Sequence, residues 1–123
     1  ALREFAETLA IDPTFADARI QMALVQSQAG DMEAAQRTLR ELIRREPANA
    51  DAYNNLGTVL LESKDSSGAL AAFEKSVALQ PGSGSARFNL GLALRAQGRE
   101  REARQAFAEA TRLDPSLRTS GRP

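Results

Sequence analysis

The sequence predicts an all-α chain wound as a solenoid of antiparallel helix-turn-helix repeats. Three observations carry that prediction. The stretch from Asp51 to Gly57 (Asp-Ala-Tyr-Asn-Asn-Leu-Gly) returns 34 residues later as Ser85 to Gly91 and, more worn, 34 residues earlier as Asp17 to Ala23. Pro13, Pro47, Pro81 and Pro115 keep the same step of 34. Between consecutive prolines the apolar residues recur at helical spacing, broken near the middle by Gly30-Asp31, Lys64-Asp65 and Gly98. A period of this length marks a repeat array, in which each unit buries its apolar face only by stacking on its neighbours.

The elements follow in order. Ala1 to Asp12 reads as a helix, with Leu2, Phe5, Leu9 and Ile11 near one face; Pro13 ends it, because the residue before a proline is pushed out of the α region. Asp17 to Ala29 is the next helix, with Ile20, Met22, Ala23, Leu24 and Val25 apolar. Gly30 suits the left-handed turn that closes it, and Asp31 can cap its successor, which runs to Arg45 and buries Leu39, Leu42 and Ile43. The short connection makes the two an antiparallel hairpin. In the second unit Asn49 caps a helix over 50–63, and Asp65 caps one over 66–79. Lys64 stands where the turn glycine is expected, at a cost on the order of 1 kcal/mol. In the third, Ser83 caps a helix to Gln97, Gly98 turns the chain, and a final helix runs to Leu113. Leu117 to Pro123 reads as a tail or linker.

Composition narrows the chemistry. Sixteen basic residues balance sixteen acidic ones, so no long-range field draws the chain to nucleic acid. There is no Cys and no His, which removes disulfides, the commonest metal ligands and the usual general base near neutral pH. No metal or cofactor is expected. No apolar run approaches the roughly 20 residues that span a bilayer. With no glycine-rich phosphate loop and no paired nucleophile and base, intrinsic catalysis is not expected.

The repeat resembles the tetratricopeptide repeat family, whose 34-residue unit sets large and small residues at fixed places. With units starting at Ala16, Ala50 and Gly84, position 7 is Met22, Leu56 and Leu90; position 8, small in the family, is Ala23, Gly57 and Gly91. Position 20 is Ala35, Ala69 and Ala103, position 24 is Leu39, Phe73 and Phe107, and position 32 is Pro47, Pro81 and Pro115. Small residues at 8 and 20 let the two helices of a hairpin approach; bulk there overpacks the contact by roughly 1–3 kcal/mol. Position 4, often Trp in the family, is Arg19, Tyr53 and Arg87. The resemblance implies a right-handed superhelix of seven helices. Its domains are a truncated second helix at 1–15, repeats at 16–49, 50–83 and 84–117, and a tail at 118–123. A chain that opens inside a repeat is expected to be an excerpt of a longer protein.

The resemblance also implies that first helices line a concave groove, through positions 2, 5, 6, 9, 12 and 13. The candidate peptide-binding residues are Gln21, Leu24, Asn54, Asn55, Thr58, Leu61, Phe88 and Asn89. Gln21, Asn55 and Asn89 form a row of carboxamides, each able to donate and accept, as a peptide backbone requires. The row is similar to the asparagine ladder of O-linked N-acetylglucosamine transferases. The alternative is that these amides bond neighbouring helices or water, and that Phe88, Leu92 and their apolar neighbours are core. Ser27 falls at position 12. The clamp that holds chaperone C-terminal carboxylates needs Lys, Asn, Asn, Lys and Arg where this chain has Ile20, Leu24, Asn55, Ser85 and Asn89, so it is rejected. Arg95, Arg99, Arg101, Arg104 and Arg112 crowd the last repeat and read mainly as solvated, paired surface.

Both ends are expected to be open: the face of Leu2, Phe5 and Leu9, and the face of Phe107, Ala110 and Leu113. Either these edges associate between copies or Leu117 folds back over the second. The function expected is a scaffold that holds a peptide segment of a partner protein. A structural spacer, an oligomerisation element or the recruiting module of a multidomain enzyme are the alternatives.

Overall fold

The structure, a computed structural model, describes residues 13–117. These described residues form six α-helices: α1 Pro13–Gln28, α2 Met32–Arg45, α3 Ala50–Glu62, α4 Ser66–Leu79, α5 Gly84–Ala96 and α6 Glu100–Leu113, then a 3-10 turn at Pro115–Leu117. The expected helix over Ala1 to Asp12 and the tail 118–123 lie outside the described residues.

Local chemistry sets each boundary. Asp31, Asn49, Asp65 and Ser83 accept bonds from the N–H groups of Ala34, Ala52, Gly68 and Ala86, so each cap falls where expected. The turns inside the hairpins share one closure: Asp31, Asp65 and Arg99 donate to the carbonyls of Gln26, Leu60 and Leu94, five residues back. That bond needs a left-handed residue just before it. Gly30 and Gly98 supply it at φ 88° and 77°, and Lys64 is forced into it at φ 70°. Between hairpins, α2, α4 and α6 end just before Glu46, Gln80 and Asp114, each kept out of the helical region by the proline that follows.

The start of α1 differs from expectation. It begins at Pro13, not Asp17. Phe15 occupies the place of the caps Asn49 and Ser83, so nothing there interrupts the helix, and proline is well suited to a first turn.

Helices α1/α2, α3/α4 and α5/α6 pair as hairpins, while α2 packs on α3 and α4 on α5. The first helices α1, α3 and α5 stand side by side. The core runs unbroken through the stack: Ala23, Leu39, Val59, Phe73, Ala93 and Phe107 are all buried within one cluster.

Burial differs between equivalent positions of the repeats, and one expectation is corrected. Met22 and Val25 are exposed, at 38% and 63%, whereas their counterparts Leu56 and Val59 are buried, at 7% and 1%. Helix α2 covers that face of α3; among the described residues no helix covers it on α1. Phe107 and Ala110, expected on an open edge, are 7% and 0% exposed. Phe107 turns into its own hairpin against Gly91, and Ala110 lies against Gly84. Leu117 is half-buried in the 3-10 turn, which rests on α5 and α6. At that edge Leu117 folds back, its Cδ1 close to Gly84.

Candidate functional site

The candidate peptide-binding residues fall on α1, α3 and α5, which stand side by side. Successive first helices are tied by bonds between residues 35 apart, one period plus one position. Between α3 and α5, Asn89 Nδ2 donates to Asn54 Oδ1 at 3.0 Å. Between α1 and α3, the Ser27 hydroxyl donates to Glu62 Oε1 at 2.8 Å. Ser27 is therefore buried, not displayed on the groove as position 12 implied.

The carboxamide row is not uniform. Gln21 is exposed. Asn55 is half-buried and donates from Nδ2 to the Asp51 carbonyl of its own helix at 2.8 Å. Asn89 is half-buried and engaged with Asn54. The Thr58 hydroxyl donates to the Asn54 carbonyl at 3.2 Å. Asn54, Thr58 and Asn89 thus form one connected polar group in the middle of the face, with Asn55 beside it and Gln21 one helix away.

The apolar candidates divide. Leu61 and Phe88 are half-buried with one side packed on the core, as are Ile20 and Leu92. The Phe88 ring meets Phe107 at 5.1 Å between centroids, tilted by 55°, a favourable aromatic geometry. Arg95 lies over the other ring of that pair, 4.7 Å from the Phe107 centroid. Leu24 is half-buried.

Sequence reading named Asn54 for its place on the groove but missed its bond to Asn89, and missed Glu62 as a partner of Ser27. The signal was available: a polar pair separated by one repeat plus one residue faces across adjacent first helices.

The tetratricopeptide repeat family profile matches residues 20–84 and 65–117. The chain belongs to this family. Comparison with curated protein sequences gave no match. Among solved structures, a mutant O-GlcNAc transferase of Thermobaculum terrenum superposes with a TM-score of 0.78 at 28% identity, over 85% of this chain and 20% of that one. MamA of Desulfovibrio magneticus RS-1 gives 0.72 at 28% identity, over 81% and 56%. The second repeat domain of Spaghetti (RPAP3), bound to the HSP90 peptide SRMEEVD, gives 0.76 at 21% identity, over 80% and 92%. The chain therefore spans a fifth of the transferase and about half of MamA. The architecture is that of these proteins, a right-handed α-solenoid of a family whose fold serves protein–protein interaction.

Proposed function

We propose that this segment is a protein-interaction module that takes an extended peptide of a partner along the concave face of α1, α3 and α5. The observation that carries the reading is the amide pair of Asn54 and Asn89. Their mutual bond uses one oxygen and one N–H. A carboxamide has two donors and two acceptor positions, so the Asn54 amine and the Asn89 oxygen keep capacity for a peptide C=O and N–H. The bond also fixes both rotamers before any ligand arrives, which lowers the ordering cost of binding. Asn55, Thr58 and Gln21 extend the polar path, and Leu24, Leu61 and Phe88 offer apolar ground beside it.

A second reading is favoured by the likeness to part of a transferase. The same groove would recruit proteins to a catalytic domain elsewhere in a longer chain. No catalytic role falls to the solenoid in either case. The carboxylate clamp is not proposed, since Ile20, Leu24 and Ser85 stand where it needs two cations and an amide.

Peptide display tests the reading, with selections on the parent and on an Asn54→Ala, Asn89→Ala variant whose helicity is checked by circular dichroism. Peptides enriched on the parent and lost on the variant support it. The same peptides on both would move the site off the amide pair, and no enrichment on either would favour a spacer.

A further inference from the structure

On another face of α1 the first repeat carries a set of five arginines that the other repeats do not reproduce. A cavity of about 490 Å³ opens between α1 and α2. Phe15 and Leu42, both buried, form its floor. Arg19, Arg37, Arg40, Arg44 and Arg45 line its walls. Among the described lining residues Glu41 is the one carboxylate, and it pairs with Arg44 at 3.2 Å. Among the described lining residues five cations thus face one anion, in a chain that is neutral overall. Arg19 lies two positions from Gln21, about 200° around the helix, so this cavity and the concave groove use different faces of α1.

The repeat does not require these arginines. One period on, the five positions read Tyr53, Ala71, Glu74, Ala78 and Leu79; two periods on, Arg87, Gln105, Ala108, Arg112 and Leu113. The floor is equally particular. Phe15 replaces the caps Asn49 and Ser83, and the guanidiniums of Arg19 and Arg45 sit over its ring at 5.0 and 5.3 Å. Stacking on the ring holds two of the cations in place and leaves their N–H edges to face a ligand.

We infer that this cavity binds an acidic peptide segment of a partner, with an apolar residue set among Asp or Glu. Guanidinium forks match carboxylates in two-bond geometry, and the aliphatic stems of the arginines, packed over the buried Phe15 and Leu42, offer apolar ground for one side chain. A volume near 490 Å³ suits a few side chains, since ligand cavities typically run about 300–1,000 Å³. A nucleic acid fits less well. It asks for cations spaced along a track and for several exposed aromatic rings, whereas these cations converge on one cavity with one ring.

The test is fluorescence anisotropy with a fluorescein-labelled hexapeptide of glutamates around a central phenylalanine. Comparators are the same peptide with glutamines and a single-stranded hexanucleotide. Arg40→Gln with Arg44→Gln removes two exposed cavity cations and leaves the stack on Phe15 intact. Arg101→Gln with Arg104→Gln removes the same charge from the exposed face of α6. The expected result is binding that weakens about tenfold or more with the cavity pair and with the glutamine peptide, and less than about twofold with the α6 pair. Asn54→Ala with Asn89→Ala is expected to leave it unchanged, which separates this site from the groove. Equal losses in both arginine pairs, equal binding of the glutamine peptide, tighter binding of the oligonucleotide, or loss in the asparagine variant would each overturn the assignment.

Discussion

The Phe73 ring lies so close to Gly57 that a Cβ at position 57 would stand 2.5 Å from Phe73 Cε1. The third repeat is built alike: a Cβ at Gly91 would stand 2.7 Å from Phe107 Cε1. The first repeat divides the same space differently, with Ala23 and Leu39, both fully buried. Positions 8 and 24 therefore share one volume, filled as Gly with Phe or as Ala with Leu. Gly57→Ala gains about 1 kcal/mol in helix propensity and loses about 1–3 kcal/mol to overpacking. Phe73 is 1% exposed and has nowhere to move, so the loss dominates. In a Phe73→Leu background the clash is gone and the same Gly57→Ala becomes stabilising. Urea denaturation of the four proteins measures this change of sign; stabilisation by Gly57→Ala in both backgrounds would refute the shared-volume account.

Lys64 holds φ 70° where Gly30 and Gly98 stand in the other hairpins. Lys64→Gly removes a left-handed penalty of about 1 kcal/mol and keeps the Asp65 to Leu60 bond that closes the turn. Part of the gain is offset by the freedom glycine adds to the unfolded chain. The expected outcome is a rise in the urea midpoint at unchanged slope. A midpoint that falls would mean that the Lys64 side chain contributes something the backbone does not reveal.

Glu102 opens α6 and is held below the ordinary carboxylate value of 4.5, chiefly by its hydrogen bond from Arg99. Both arms of the guanidinium reach it at 2.8 Å. The pair spans the first turn of α6, where Arg99 makes no side-chain cap. A depressed carboxylate contributes stability that is whole above its unfolded value and is lost as pH falls through its folded value. Acidification from neutral through 4.5 and below is therefore expected to loosen the start of α6, and Glu109 with Arg112 responds with the same sign at its end. Helicity followed by circular dichroism should show a smaller acid response in Glu102→Gln. An undiminished response would place the sensitive groups elsewhere.

Much of this fold was legible in the residues, and the reasons for the exceptions are physical. The caps Asn49, Asp65 and Ser83 and the strained Lys64 are local features, set by neighbours within five residues, so the sequence displays them directly. Met22 and Val25 are apolar at buried positions of the pattern, yet their burial depends on a helix stacked from outside the unit, which no local pattern reports. Phe107 sits on the outer side of the last helix in the linear pattern, whereas its ring fills the gap left by Gly91 in its own hairpin, a contact that only folding reveals. The groove was harder. Position within the repeat placed Asn54, Asn55 and Asn89 on one face, but rotamers decide partners. Asn55 turned to its own helix while Asn54 and Asn89 found each other. The arginine cavity drew no notice in sequence because its members are split between α1 and α2 and converge only on folding.

The Asn54–Asn89 bond also makes the α3–α5 joint testable apart from any ligand. Both residues are half-buried, and the bond crosses a repeat boundary at 3.0 Å. A neutral hydrogen bond of this kind contributes about 0.5–1.5 kcal/mol net. Asn89→Ala and Asn54→Ala each remove it and leave one half-solvated amide behind, so each is expected to cost close to that amount. Removing both costs less than the sum, and the difference is the coupling energy of the pair. Repeat arrays distribute stability between intrinsic units and the joints between them. The coupling should therefore appear as weaker cooperation between the second and third repeats: hydrogen exchange of α5 and α6 accelerates more than that of α1 and α2. Neither residue titrates, so the coupling is expected to hold unchanged between pH 5 and pH 8, a range in which no Asn side chain changes charge. Strict additivity of the two substitutions would leave the bond without energetic consequence. It would also remove the premise that the amide pair is fixed before a peptide binds.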